Sequence, residues 1–344
     1  MANIFARSPY LIKIDEAGQS GSKIELFLSN TTFSVNPQYT LSKLIPASNN
    51  LETLYDISPY IREYISFTTP SEPTTLLTNP TNERVNVRVK RYELVVSTYN
   101  LLDTTDYIAF DGYTYYEEGS NYNLGDFGLD EAEYYFTPTT SAGILRVITG
   151  TGYTARYTNL ITPAVTNVSL TNDTVLDIAR VIVANFVDGN LLEILDATST
   201  VLVTYNFVAQ EECKYAPLNL DFVNKYGAWQ RTCFFKANNE TFSVENTEYN
   251  LLQTDSFDYN AQEGQRKIFN ANGKKSIKVN TGWVDESWNE VLKQIMLSER
   301  ILLFGAYPLK INTKSTELFK HINTKQINYS LEFEFAYDAI NSVI

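Results

Sequence analysis

From Gln326 to Tyr337 the sequence alternates without a break, with Ile327, Tyr329, Leu331, Phe333, Phe335 and Tyr337 at one parity and Asn328, Ser330, Glu332 and Glu334 at the other. Successive side chains of a strand point to opposite faces, so this spacing predicts a closing strand near 326–337 with one apolar and one wet face. An apolar face needs a cover. The chain supplies one in Asp285 to Ser298, where Trp288, Val291, Leu292, Ile295 and Met296 share a stripe and acidic residues stand at the start. That spacing predicts a helix near 286–298 lying with its stripe on a sheet.

Strand and turn signals run through the rest. Tyr10 to Ile14, Ser22 to Ser29 and Tyr39 to Ile45 read as short strands parted by Gly- and Pro-containing turns. Ser58-Pro59 opens a short helix, with Ser58 as the cap and Tyr60, Ile61, Tyr64 and Ile65 on one face. The polar stretch Thr68 to Asn82 reads as an excursion. Val85 to Thr98 reads as a long strand with a bulge near Lys90. Asp111-Gly112, Thr149-Gly150-Thr151-Gly152 and Asp188-Gly189 each predict a hairpin between flanking apolar runs. Val201 to Val208 closes this series. Leu218 to Val223 and Ala228 to Phe235 read as strands around a turn at 224–227.

Composition excludes several function classes. The chain has 344 residues, a length that suits two domains, with 24 Tyr and 19 Phe but a single histidine, His321. Acid–base and metal chemistry draws most often on His, so no catalytic activity is read and no cofactor is implied. No apolar run approaches the ~18 residues of a membrane span, and nothing near Met1 to Tyr10 reads as a secretory signal. Synthesis is expected to finish in a bacterial cytoplasm. Cys213 and Cys233 are read as reduced thiols, with a disulfide between them as the alternative, and their spacing offers no zinc site.

Charge is unevenly spread. Residues 1–212 hold 12 Lys and Arg against 25 Asp and Glu, whereas 213–344 hold 15 of each. The acidity argues against specific nucleic-acid binding, which needs cations for phosphates, and suits a wall past which DNA slides. A boundary is placed at this change, giving β-sandwich domain(s) over 1–212 and an α+β module over 213–344.

Between Arg91 and Arg146 there is no Lys or Arg, yet ten acids and eight tyrosines fall within 93–135. This acidic, Tyr-rich insert near 99–140 has three readings: a calcium loop, a solvated loop with tyrosines packed beneath it, or an aromatic contact surface for a partner or a glycan. The contact residues would be Tyr113, Tyr115, Tyr116, Tyr122, Tyr134 and Tyr135. Glu117 and Glu118, or Glu332 and Glu334 on one strand face, are the carboxylates a hydrolase would use; solvated acids are the ordinary reading of both. No phosphate-loop, nucleophile-elbow or metalloprotease motif occurs.

Two stretches resemble a known group. The segments Asn3 to Tyr10, Lys23 to Leu26 and Tyr55 to Ile65 resemble the N-terminal module of tail proteins in tailed phages of gut Bacteroidota. Leu220 to Gln230, Asn280 to Trp283 and the closing strand are similar to the C-terminal module of the same group, whose nearest set is the crAss-like short-tailed phages. Residues 85–210 are unmatched. The resemblance implies a mainly β virion protein with an Ig-like or jelly-roll-like sandwich first and a smaller α+β module after it. It further implies copies assembled as a cyclic ring, six- or twelve-fold, docked on neighbouring tail, ring or portal proteins around a DNA ejection conduit.

Overall fold

A computed structural model describes residues 2–46, 52–67, 83–121, 133–137, 144–149, 152–170, 177–182, 185–210, 214, 216–236, 238–251, 262, 264–318 and 327–341. Strand accounts for 56% and helix for 8%, so the fold is mainly β with a small α+β C-terminal part. The excursion at Thr68 to Asn82, along with Tyr122, Cys213 and His321, lies outside the described residues.

The first elements are β1 (Ala2–Phe5), β2 (Leu11–Ile14), β3 (Gly21–Ser29), β4 (Tyr39–Leu44), β5 (Thr53–Asp56), α1 (Ser58–Tyr64), β6 (Arg84–Val95) and β7 (Thr98–Phe110). Five of them form a sheet in the order β1-β7-β6-β3-β4, in which β1 runs parallel to β7. Alternation decides its inner face. Ile24, Leu26 and Leu28 of β3 and Val85, Val87 and Val89 of β6 bury one parity against the β2–β5 pair and α1. The strand pairing of β6 with β7 shifts register between Arg91 and Tyr92, next to the bulge expected at Lys90. Pro59 sits in the first turn of α1, but Ser58 does not cap it. Its hydroxyl accepts from Tyr10 N–H and donates to Ser8 C=O, tying the helix start to the 8–10 segment instead.

Next come β8 (Glu133–Phe136), β9 (Ile144–Thr149), β10 (Tyr153–Asn159), β11 (Val165–Leu170), β12 (Asp177–Ile182), β13 (Asn190–Leu195) and β14 (Val201–Ala209). They make a sheet β11-β10-β13-β14-β8 and a separate pair β9–β12. The remaining elements are β15 (Leu218–Val223), β16 (Trp229–Phe234), β17 (Asn239–Asn250), β18 (Arg266–Val284), α2 (Trp288–Leu297), β19 (Ile301–Leu303), β20 (Tyr307–Ile311) and β21 (Ile327–Phe335). Seven strands join as β16-β15-β19-β20-β21-β18-β17. One apolar cluster spans both sheets and α2: Tyr157, Leu192 and Tyr205 share it with Phe222, Leu331, Phe333 and the α2 stripe Trp288, Val291, Leu292 and Ile295. Each of those helix side chains contributes roughly 1.5–3 kcal/mol by leaving water.

Three hairpins read from the sequence pair differently. After Phe110 the chain does not return as a strand, because Tyr113 N–H donates to Lys225 C=O at 2.8 Å and Gly112 is wedged against Phe5. Strand β9 pairs with β12, and β10 with β11 and β13, so the Thr-Gly-Thr-Gly stretch joins strands of different sheets. At Asp188-Gly189, Asn190 takes over: its Oδ1 accepts from the backbone N–H of Asn185 and Phe186, and its Nδ2 donates to Phe186 C=O. The strand that follows pairs with β10 and β14, not with β12. Gly and Asp announce a turn; which strands meet is decided by packing far along the chain.

Candidate functional site

The segment after β7 carries the expected aromatic residues into a joint. Tyr113 is buried beneath Arg7, whose guanidinium carbon lies 4.8 Å from the ring centroid. Tyr115 is half-buried; its hydroxyl donates to Glu290 Oε1 on α2 at 2.6 Å, and the Lys225 and Lys293 ammonium groups stand 5.6 and 5.7 Å from its ring. Burial, then the Glu290 contact, push the Tyr115 hydroxyl far above its ordinary value. Burial alone would raise Glu290, but the Tyr115 hydroxyl, Lys225 and Lys293 outweigh it and hold the carboxyl below its ordinary value. Tyr134 is buried against Phe207, with ring centroids 5.6 Å apart. Tyr135 donates to Glu133 Oε2 at 2.6 Å and leans on Trp288.

Only Tyr116, of the five described candidates, stands fully in solvent. It opens a single 3-10 turn, Tyr116–Glu118, whose two acids are exposed beside it. The other four rings are committed internally. Sequence spacing could not distinguish them, because tyrosine suits both a wet surface and a core that offers its hydroxyl a partner.

The joint itself is built from backbone and charge. Gly227 holds φ +74, and a Cβ there would stand 2.8 Å from the backbone of Asp111 and Gly112. Phe5, Ile108, Phe110 and Tyr226 form a small apolar cluster across the same contact. Around it, Arg62 pairs with Glu299, Arg7 lies 3.4 Å from Glu299, and Arg62 Nε lies 3.3 Å from Asp111 Oδ1. Burial pushes the Asp111 carboxyl up, with Arg62 and Arg7 opposing. A cleft of about 500 Å³ opens here between Arg7, Ser8, Asp56, Ser58, Arg62 and Glu63. These partnerships clamp two parts of the chain together and supply no nucleophile beside a base.

Other expected chemical groups are equally occupied. Glu334 lies 3.4 Å from Lys310 on the wet face of β21, and Glu332 is exposed. Cys233 carries no disulfide; its thiol donates to Asn219 Oδ1 at 3.0 Å, and burial pushes it up to about 12. Among the described residues no group of three or more His, Cys, Asp or Glu could hold a metal ion. No helix there is long and apolar enough to cross a membrane.

The feature that sequence reasoning missed is a ribbon. Among the described residues strand β17 pairs only with β18, and it is exposed at all 12 positions. Phe242, Val244 and Tyr249 on it, with Ile268 and Phe269 on β18, are 47–61% exposed. Past Ser276, β18 leaves β21, and the ribbon continues two strands wide, apart from a short backbone pairing of Ala339 with Gly273. Alternation at Phe242 and Val244 was the available signal, but it breaks at a register shift between Glu245 and Thr247. No family model, curated protein or solved structure matches the chain.

Proposed function

We propose that this chain is a structural virion protein of a phage tail: copies assemble as a cyclic ring around the tail channel and dock on neighbouring tail, ring or portal proteins. The observation that carries the reading is the ribbon. A two-stranded ribbon is marginal in water by itself, and one bearing five large apolar side chains at half exposure gains by being covered. The resemblance of the opening and closing segments to tail proteins of crAss-like phages supports the same reading. The acidic first part suits a conduit, since DNA is repelled rather than held by it. Binding affinity would come from strand edges and aromatic anchors, with no bond made or broken.

Native mass spectrometry and negative-stain imaging of the purified full chain test the proposal, with rings of a single copy number expected as concentration rises. A chain that stays monomeric at high concentration and is missing from purified virions would overturn it.

A further inference from the structure

Every sheet edge has to be paired, covered or guarded, or it recruits another chain. The three large sheets have six edges, and four are accounted for. Asn121 binds the backbone of β1, accepting from Phe5 N–H at 2.9 Å and donating to Phe5 C=O at 2.9 Å. Strand β4 carries Lys43, which reaches the Leu54 carbonyl. Strand β8 lies against β16, and Trp288 Nε1 donates to Glu133 C=O. Strand β9 lies close to β16, which ends the seven-stranded sheet.

Among the described residues two edges are left, β17 and β11. Strand β11, Val165–Leu170, reads VTNVSL, with no charge and no proline, and it ends its sheet. The turn leading into it exposes Leu160 and Ile161, and Val165 at its first position and Val187 are exposed as well. In the Asn239–Glu245 run of β17 both acids pair across the ribbon: Glu240 with Lys275 and Glu245 with Lys274, both on β18. The run from Asn239 to Glu245, before the register shift, is one residue longer than the six of β11. Its exposed Phe242 and Val244 match the apolar turn at the start of β11. A ladder as long as β11 spans about 20 Å, and its backbone hydrogen bonds, flanked by the exposed apolar side chains, are what would hold the two edges together.

We propose that the occupant of the ribbon is a second copy of this chain: the Asn239–Glu245 run of one copy pairs with the β11 edge of the next, joining their sheets. The inference rests on the self-assembly reading above and names its surface. Two different edges meet, so the contact is head-to-tail; a joined pair keeps one open β17 and one open β11, which generates a ring or a filament and not a twofold dimer.

Two variants test it in the full chain, one with Phe242→Lys and Val244→Lys, the other with Val165→Lys and Asn167→Lys. All four positions are exposed, and circular dichroism checks that the fold is kept. Each variant alone is expected to assemble about 100-fold less readily than the parent in sedimentation velocity. An equimolar mixture is expected to give dimers and nothing larger, because each partner contributes the one edge the other has lost. Parent rings that persist unchanged in both variants would overturn the head-to-tail pairing while leaving self-assembly standing. A parent that never assembles would remove both.

Discussion

At the scale of single residues, Gly227 is where the fold tolerates least. Its left-handed backbone costs a side-chain residue about 1 kcal/mol, and a Cβ would press on the backbone of Asp111 and Gly112, which has no flexible end to move. Gly227→Ala is therefore expected to cost roughly 2–4 kcal/mol, read as a lowered urea midpoint at an unchanged slope. Cys233 gives the opposite kind of expectation, silence. With its thiol buried, hydrogen-bonded and raised to about 12, it should resist alkylation at pH 8 in the folded chain and react once urea is added, as peptide mapping by mass spectrometry would show. Both positions show what spacing reveals. Gly227 follows Asn224-Lys225-Tyr226, so a turn was legible; that the turn would meet Gly112, over a hundred residues earlier, was not.

Among elements, β21 and α2 were the most legible because one periodicity governs each over its whole length and each has a single buried face. The indole of Trp288 joins them to the preceding sheet, packed in the core with its N–H on Glu133 C=O at 2.8 Å. Trp288→Ala is expected to destabilise by about 3–5 kcal/mol, and Trp288→Phe, which mainly loses the hydrogen bond, by about 1–2 kcal/mol, both read in chemical denaturation. Strand β15 illustrates the limit of pattern reading. All six of its residues are buried, Asn219 and Asp221 included, because Asp221 is held by Arg231 at 2.8 and 3.0 Å and Asn219 by Cys233. Paired polar residues can be buried, so its polar parity faces protein, not water. The ribbon escaped notice for the converse reason: its apolar residues are never buried within the chain that carries them.

For the molecule as a whole, acid is the informative perturbation. Glu25, Asp103, Glu290 and Glu299 all have carboxyls held below their ordinary values. Their contribution is complete above the unfolded value of about 4 and is lost as pH falls through the lower folded values. Asp111 acts in the other direction, since its raised value means that its ionisation, not its protonation, opposes folding. Stability is expected to hold from pH 7 to about 5 and to fall steeply below about 4, with a shallower fall in Glu290→Gln, as melting temperatures by circular dichroism would record. A flat profile down to pH 3 would contradict the joint described around Tyr115.

Strand β1 completes its sheet by lying parallel to Tyr107–Phe110, a hundred residues downstream, with Asn121 closing its other side. On the ribosome, then, the opening segment has no home until well over a hundred residues have emerged. Loop closure of that length slows the search, so on refolding from urea the docking of β1 should lag behind the local β3–β4 pairing of the same sheet. A cell making many copies at once would carry a pool of half-finished chains with sticky ends, and chaperone demand would track that waiting time.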